Sequence, residues 1–261
     1  MAVPIIEVDA VSKQFRIPCV RRETIREHLL GLFESRRFER LQVLKGVSFR
    51  VERGEALGIM GRNGSGKSTL LKVLSGVYLP DAGQVHVHAA MTSLLELGVG
   101  WNPELDAIDN ILLIGSVMGL PLRDIRRDLD EILAFAELER FASLKLKHYS
   151  SGMSERLGYA VAFKAVRDVL VLDEIFAVGD AGFKARCERR YLELRALGHT
   201  AIIVSHDPRI IATFCDRALL LDDGRIVFEG SAREVADRYL STLYVTSSDV
   251  VQTFRSAVEQ A

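Results

Sequence analysis

Cysteine is scarce in this sequence, and long apolar runs are missing. The three cysteines, Cys19, Cys187 and Cys215, are odd in number and lack metal-ligand spacing, so the sequence predicts reduced structural thiols. The longest apolar run, residues 111–120, is too short to cross a bilayer. The N-terminus carries Glu7 where a signal peptide would be basic and then apolar. We therefore expect a cytoplasmic chain that cannot span a membrane alone.

An excess of charge of either sign is also lacking. Lysine and arginine total 34, against 35 aspartates and glutamates. Nucleic-acid-binding domains usually carry a basic field, so no nucleic-acid partner is expected. The chain is rich instead in apolar residues, which make up 48% of its 261 positions and can form one large α/β core or two small ones.

The apolar residues form two kinds of strand pattern. Residues 169–172 and 201–204 are apolar throughout and end at polar residues, which is typical of buried parallel strands. Residues 5–8 and 47–51 alternate apolar and polar residues, as half-exposed antiparallel strands do. Residues 218–228 contain an Asp-Gly pair between two short apolar runs, which predicts a closing hairpin. The fold class is therefore α/β, with a parallel sheet covered by helices.

Residues 96–166 interrupt this alternation with a helical pattern. We interpret the region as an inserted helical subdomain. The apolar residues that recur at helical spacing there include Ile125, Leu129, Ile132, Leu133 and Ala136.

A glycine-rich loop carries the strongest chemical signal. It follows the apolar run 56–60, precedes another apolar run, and matches the pattern G-x-x-x-x-G-K-[ST]. Such a loop curls its backbone N–H groups around a polyphosphate at a helix N-terminus, with the lysine on the β- and γ-phosphates and the following hydroxyl on Mg²⁺. The sequence thus predicts binding of ATP and Mg²⁺. The residues of the predicted loop are Gly61, Asn63, Gly64, Ser65, Gly66, Lys67, Ser68 and Thr69.

Two strand ends carry further polar residues. Asp173 and Glu174 follow a buried strand, which would direct Asp173 to Mg²⁺ and leave Glu174 to orient or deprotonate water. The alternative is a solvated turn. His206 follows the next strand and would reach the γ-phosphate or the attacking water, although a histidine there is also compatible with a structural role. His86 and His88 share a strand face, but without a third ligand nearby they do not predict a metal site.

The segment 149–153 precedes a helical run. Ser150 is positioned to cap that helix, and a capped helix start flanked by Gly152 also suits an anion. From these residues alone, a plain helix cap and an anion site both remain open.

Together these motifs resemble the nucleotide-binding subunit of ABC transporters, over nearly the whole chain. The resemblance implies a P-loop NTPase (RecA-like) fold with an inserted helical subdomain and an antiparallel β subdomain, at residues 1–245, followed by a short tail at 246–261. It also implies a homodimer that sandwiches two ATP molecules, in which Ser150 and Gly152 contact the γ-phosphate held by the other subunit and Asp180 lies at the interface.

Three further features depend on this resemblance. Phe15 is the candidate for stacking on adenine, with core packing as the alternative. The expected glutamine loop has no glutamine, and Glu96 is the candidate for replacing it as a Mg²⁺ ligand. The family signature Leu-Ser-Gly-Gly-Gln reads Tyr-Ser-Ser-Gly-Met at 149–153. This variant, the missing glutamine and the sequence 173–180 resemble the ATPases that export lipid-linked polysaccharides such as O-antigen, capsule or teichoic acid.

The resemblance therefore implies a peripheral ATPase on the cytoplasmic face of the inner membrane, which drives a separate permease that carries the polysaccharide. The alternatives are another ABC exporter or importer, a soluble ABC ATPase and a phosphate-loop kinase. Residues 21–33 place apolar and arginine side chains on opposite helical faces, which suits either packing on the domain or contact with the permease or lipid headgroups.

Overall fold

The computed structural model describes residues 3–18, 38–93, 100–173 and 180–242. Helices separate the strands at residues 169–173, 200–205 and 217–222, in the alternation that the sequence predicts. The strands are β1 (Ile6–Pro18), β2 (Phe38–Val51), β3 (Ala56–Met60), β4 (Ala82–Val87), β5 (Met91–Ser93), β6 (Val169–Asp173), β7 (Thr200–Ser205), β8 (Arg217–Asp222) and β9 (Arg225–Ser231). The helices are α1 (Lys67–Leu74), α2 (Ala107–Val117), α3 (Leu122–Arg127), α4 (Leu129–Ala136), α5 (Ser151–Lys164), α6 (Ala181–Ala196) and α7 (Pro208–Phe214), with a further helix at 232–242.

Six strands form the central sheet, in the order β5-β6-β7-β3-β8-β9. Its strands are parallel except β9, which returns antiparallel to β8 in the predicted hairpin. Every residue of β3 and β7 is buried. Alternate residues of β7 enter different apolar clusters: Ile203 packs with α5 and α6, and Ile202 packs with α1 and the second sheet. Burial on both faces explains why residues 56–60 and 201–204 are apolar throughout.

The second sheet has the order β2-β1-β4 and is antiparallel. The predicted pairing of 5–8 with 47–51 is confirmed, with Val8 opposite Phe49. Both strands are longer than predicted, because the register shifts beyond Val8 and Ala10 has a positive φ of 48°. A bulge of this kind breaks the alternation by which a strand is recognised in sequence.

The helices α2 to α5 lie between β5 and β6 in the chain, within the predicted range 96–166. They share one apolar core, which includes Ile111, Ile125, Ile132 and Leu157. The residues predicted to recur at helical spacing, from Ile125 to Ala136, are helical but belong to two helices, α3 and α4. The chain leaves helical geometry at Asp128, which ends α3 and precedes α4.

Among the described residues, no helix combines the length and apolarity needed to cross a membrane. Residues 19–37, 94–99, 174–179 and 243–261 lie outside the described ranges. The predictions for the segment 21–33 and the tail 246–261 therefore fall outside the part of the chain that the structure describes.

Candidate functional site

The glycine-rich loop joins β3 to α1 in the predicted strand–loop–helix arrangement. Gly64 and Gly66 have φ of +82° and +106°, which side-chain-bearing residues rarely adopt. A Cβ on Gly66 would lie 2.9 Å from the Val43 carbonyl oxygen, and one on Gly61 would lie 2.2 Å from that of Leu221. The loop therefore requires glycine both for its turns and for its close approach to neighbouring backbone.

Lys67 opens α1 and is only 7% exposed. Its Nζ donates to the carbonyl oxygens of Gly61 at 2.7 Å and Arg62 at 2.9 Å. The ammonium is thus held across the loop by the loop's own backbone. Ser65 is also buried, and its Oγ has no hydrogen-bond partner within the part of the chain that the structure describes.

Three strand ends meet at the edge of the sheet where this loop lies. In the parallel register, Met60 of β3 pairs with Ser205 of β7, and Val204 pairs with Asp173 of β6. The loop, Asp173 and His206 therefore follow three neighbouring strands at one level. Open α/β sheets place their ligands at such an edge.

A cleft of about 570 Å³ opens at this edge. It brings together Lys67, Ser68 and Asp173, which the sequence assigned to phosphate and metal binding. Its described lining residues are Leu41, Val43, Asn63, Gly64, Gly66, Lys67, Ser68, Thr69 and Asp173. The sequence did not predict that Leu41 and Val43 of β2 line the cleft, because only the strand pairing shows that β2 passes over the loop.

The turn between β8 and β9 is hydrogen-bonded to the glycine-rich loop. The Gly224 N–H donates to the Ser65 carbonyl at 3.1 Å, and the Lys45 N–H donates to the Gly224 carbonyl at 2.8 Å. A Cβ on Gly224 would lie 2.3 Å from the Val43 carbonyl oxygen. The β8–β9 turn therefore joins the loop to β2, and the sequence identified it only as a turn.

His206 is exposed and follows β7, outside the described lining of the cleft. The next residue, Asp207, caps α7 by accepting the Arg209 N–H at 2.9 Å. A hydrogen bond from the Arg209 side chain lowers the pKa of Asp207. The predicted base Glu174 and the predicted metal ligand Glu96 both lie outside the described residues.

Ser150 and Gly152 stand at the start of α5. The Ser150 hydroxyl accepts the Met153 N–H at 3.2 Å, so the predicted helix cap is confirmed. A Cβ on Gly152 would meet nothing within 4 Å. Neither residue is among the described lining of the cleft.

Asp180 caps α6 by accepting the Phe183 N–H at 2.9 Å, and it forms an ion pair with Arg156. Arg156 also pairs with Glu137 at 2.5 Å, and Glu137 pairs with Arg186. The sequence did not reveal these ion pairs, because the partners belong to different helices. An aspartate just before a helical run was the one available signal, and it predicts a cap rather than an ion pair.

Phe15 lies on β1 directly opposite Leu41, which lines the cleft. It is half-buried, with its ring centre 5.5 Å from that of Tyr78 and 5.8 Å from the Lys13 Nζ. Phe15 is absent from the apolar clusters of the described residues. Phe15 therefore packs beside Tyr78, opposite a residue that lines the cleft, and its contact with adenine stays a prediction.

The remaining candidates from the sequence are the cysteines and the pair His86 and His88. Cys187 and Cys215 carry free thiols, and burial raises the pKa of Cys187 to about 12, while Cys19 lies outside the described residues. The rings of His86 and His88 stack with centres 6.3 Å apart. Across the described ranges no group of three or more possible ligands could hold a metal ion.

Comparison with known proteins identifies the family. Residues 44–177 match the family described as ABC transporter. The ABC transporter protein AbcA of Aeromonas salmonicida is 36% identical over 95% of this chain and 80% of its own length. The O-antigen export system ATP-binding protein RfbB of Klebsiella pneumoniae is 34% identical over 90% of this chain and 97% of its own length. The teichoic acids export ATP-binding protein TagH of Lactiplantibacillus plantarum is 39% identical over 75% of this chain and 54% of its own length.

The solved structures agree with this result at the level of the fold. A dimeric ATP-binding cassette in a post-hydrolysis state, bound to ADP and Pi, has a TM-score of 0.69 and 24% identity, over 87% of this chain and 99% of that chain. The predicted fold class is confirmed, and the chain belongs to the ABC transporter family.

Proposed function

We propose that this chain is the ATP-hydrolysing subunit of an exporter that moves a lipid-linked polysaccharide across the inner membrane through a separate permease. The subunit binds peripherally at the cytoplasmic face. Two relatives at 34% and 39% identity are named as O-antigen and teichoic acid export proteins, which supports this class of substrate. The motif variants at 149–153 and 173–180 support the same class.

The main support for this proposal is the cleft at the edge of the central sheet, which suits ATP. Two of its loop glycines, Gly64 and Gly66, have positive φ, and Lys67, Ser68 and Asp173 line the same space. ATP would place its phosphates on the backbone N–H groups at the start of α1, where the helix dipole favours negative charge. Lys67 would then neutralise the β- and γ-phosphates.

Ser68 and Asp173 fit a bound Mg²⁺, because a hydroxyl and a carboxylate oxygen are ligands that this ion prefers and both line the cleft. Bound Mg²⁺ would neutralise charge that develops on the phosphate oxygens. Glu96 is proposed as a further ligand by its position in the sequence alone.

Glu174 follows Asp173 in the chain and is proposed to orient or deprotonate the attacking water. His206 follows β7, the strand beside β6, and is proposed to hydrogen-bond the γ-phosphate or that water. The two residues would act from neighbouring strand ends.

A homodimer would complete the site. Ser150, Gly152 and Asp180 are proposed to act on the ATP held by a second copy, and their absence from the described lining of this chain's own cleft suits that role. Phe15 is proposed to stack on adenine at the cleft margin, opposite Leu41.

The first test is Glu174→Gln. ATP binding should persist, while hydrolysis should slow by about a hundredfold or more, because a general base or water-orienting group commonly contributes that much. The variant should also accumulate as an ATP-bound dimer. Phosphate release and sedimentation with ATP measure the two effects, and Glu139→Gln, an exposed residue on a 3₁₀ turn, provides the matched control. Turnover at the wild-type rate would reject Glu174 as the catalytic group.

The substrate class needs a separate test in cells. Deletion of the gene should remove a polysaccharide from the cell surface and leave its lipid-linked form inside, and the wild-type gene should restore export while Lys67→Ala should not. Unchanged surface polysaccharide, together with loss of uptake of a nutrient, would favour an importer.

A further inference from the structure

Arg156 lies where α5 meets α6. Its side chain is 21% exposed and uses both ends of its guanidinium, with Nη1 2.5 Å from Glu137 Oε2 and Nη2 paired with Asp180 Oδ2. The guanidinium also lies 5.2 Å from the ring centre of Phe183. A planar fork that meets two carboxylates and an aromatic face is strongly oriented, and lysine cannot reproduce it.

The Asp180 carboxylate is held through both oxygens. Oδ1 accepts the Phe183 N–H at 2.9 Å, and Oδ2 accepts from Arg156. The backbone hydrogen bond from Phe183 and the charge of Arg156 lower the pKa of Asp180, so the group is ionised at neutral pH. Its side chain is nevertheless 62% exposed, which leaves it open to a partner.

The other end of the cluster is anchored to α4. Glu137 adopts left-handed geometry with φ of 59° at the end of that helix and pairs with Arg186 of α6. Arg186 also donates to the carbonyls of Ala134 at 3.2 Å and Phe135 at 2.7 Å, near the end of α4. The charges therefore alternate along Asp180, Arg156, Glu137 and Arg186, and they connect three helices.

Arg156 lies on α5 about 1.7 turns after the cap residue Ser150. We propose that Arg156 is a positioning residue: it fixes the Asp180 carboxylate relative to the start of α5, so that both meet a second copy of this chain in one preformed arrangement. The inference rests on the proposed ATP-dependent homodimer. Arg156 acts through Asp180 and does not contact the nucleotide.

The test uses Glu174→Gln as the parent, because this variant is expected to accumulate the ATP-bound dimer. Adding Arg156→Gln should weaken ATP-dependent dimerisation about tenfold, with ATP affinity of the monomer within about twofold of the parent. Asp180→Asn should have the same effect, since asparagine caps a helix as well as aspartate but carries no charge. Combining the two changes should still cost about tenfold, rather than about a hundredfold, because both remove one interaction.

Arg186→Gln is the matched control. It breaks another contact between α6 and α4 but leaves both hydrogen bonds of Asp180 in place, so dimerisation should stay within about twofold of the parent. Thermal unfolding of every variant separates loss of fold from loss of dimer. If Arg156→Gln fails to fold, Arg156→Lys replaces it, because lysine keeps the charge but cannot hold both carboxylates.

The outcomes distinguish the inference from the proposed function. A parent that binds ATP but never dimerises overturns both. A parent that dimerises, with an Arg156 variant that dimerises equally well, overturns the inference alone. Additive effects of Arg156→Gln and Asp180→Asn, or an equal loss in Arg186→Gln, would also overturn it.

Discussion

The helices α1 and α5 both begin at residues proposed to contact phosphate, yet they begin differently. α1 follows Gly66, which has no side chain to accept the first N–H groups of the helix. α5 follows Ser150, whose hydroxyl already accepts the Met153 N–H. Since the first N–H groups of a helix have no acceptor within it, α1 presents more donors to an external anion. α1 therefore suits primary binding of phosphate, whereas α5 suits a supplementary contact.

The two helices also differ in what stabilises their surroundings. β3, which leads into α1, is buried between two apolar clusters. α5 belongs to a subdomain whose apolar core is supplemented by ion pairs, including those of Asp128 and Lys164. We therefore expect the stability around α1 to depend little on pH and that around α5 to depend on it more.

Lys67→Ala should have the largest effect, because it removes the charge at the start of α1. Removing one partner of a buried charge pair costs about 2–5 kcal/mol, so ATP affinity should fall by about thirtyfold to a few thousandfold. Titration with a fluorescent ATP analogue measures the loss. Lys72→Ala, on the same helix but outside the described lining of the cleft, is the control. Equal affinity in both variants would contradict the primary role of α1.

Ser150→Arg, at the start of α5, should impair hydrolysis rather than ATP binding. ATP binding by the monomer should persist, but hydrolysis should fall about thirtyfold or more, the cost of a central interface residue at about 2 kcal/mol. Binding titration and phosphate release separate the two. Ser150→Asn keeps a helix cap and shows how much of any loss in stability comes from capping. Normal hydrolysis in Ser150→Arg would show that α5 makes no contact across the dimer.

Asp128→Asn tests the pH dependence of the helical subdomain. The hydrogen bond from Arg127, supported by Lys164, lowers the pKa of Asp128 from 3.8 to about 2. The stabilisation is therefore present above pH 3.8 and is lost as the pH falls towards 2. The variant should be less stable by about 1–2 kcal/mol at pH 7, and the difference should close through this window. Urea unfolding from pH 2 to 7 measures it, and a constant difference would contradict the assignment.

Ser65→Ala should have the smallest effect, although the residue lies in the phosphate loop. Its buried Oγ has no hydrogen-bond partner among the described residues, so removing it should change the free energy of unfolding by less than about 0.5 kcal/mol. The KM for ATP should also stay unchanged, because only the backbone of Ser65 would face the phosphates. A clear rise in KM would place the hydroxyl in the nucleotide site.

The sequence predicted those parts of the site that depend on local chemistry. The loop 61–69 and the Ser150 cap each follow from short patterns, because glycine geometry and helix capping are local. The sequence also predicted that Asp173 lies at the same sheet edge as the loop, since parallel strands end at one edge. The ends of β1 and β2 could not be predicted from the sequence, because the bulge near Ala10 interrupts the alternation of apolar and polar residues.

Contacts between distant segments were not predictable from the sequence. Leu41 reaches the cleft through strand pairing, and Gly224 reaches Ser65 through a turn far along the chain. The pairing of Arg156 with Glu137 depends on α5 packing against the end of α4, and charged residues are common on both helices. The break at Asp128 was hidden because the residues on both sides keep one apolar face.

The strand order has a consequence for synthesis of the chain. β3, which leads into the phosphate loop, pairs with β7 on one side and β8 on the other, and Gly224 then binds the loop. These partners begin at residue 200, so a ribosome releases an apolar strand and a glycine-rich loop long before either can be completed. An unpaired apolar strand is prone to aggregate, and its partners arrive at about 5–20 residues per second. A nascent chain that ends before β7 should therefore depend on chaperones and should not bind ATP.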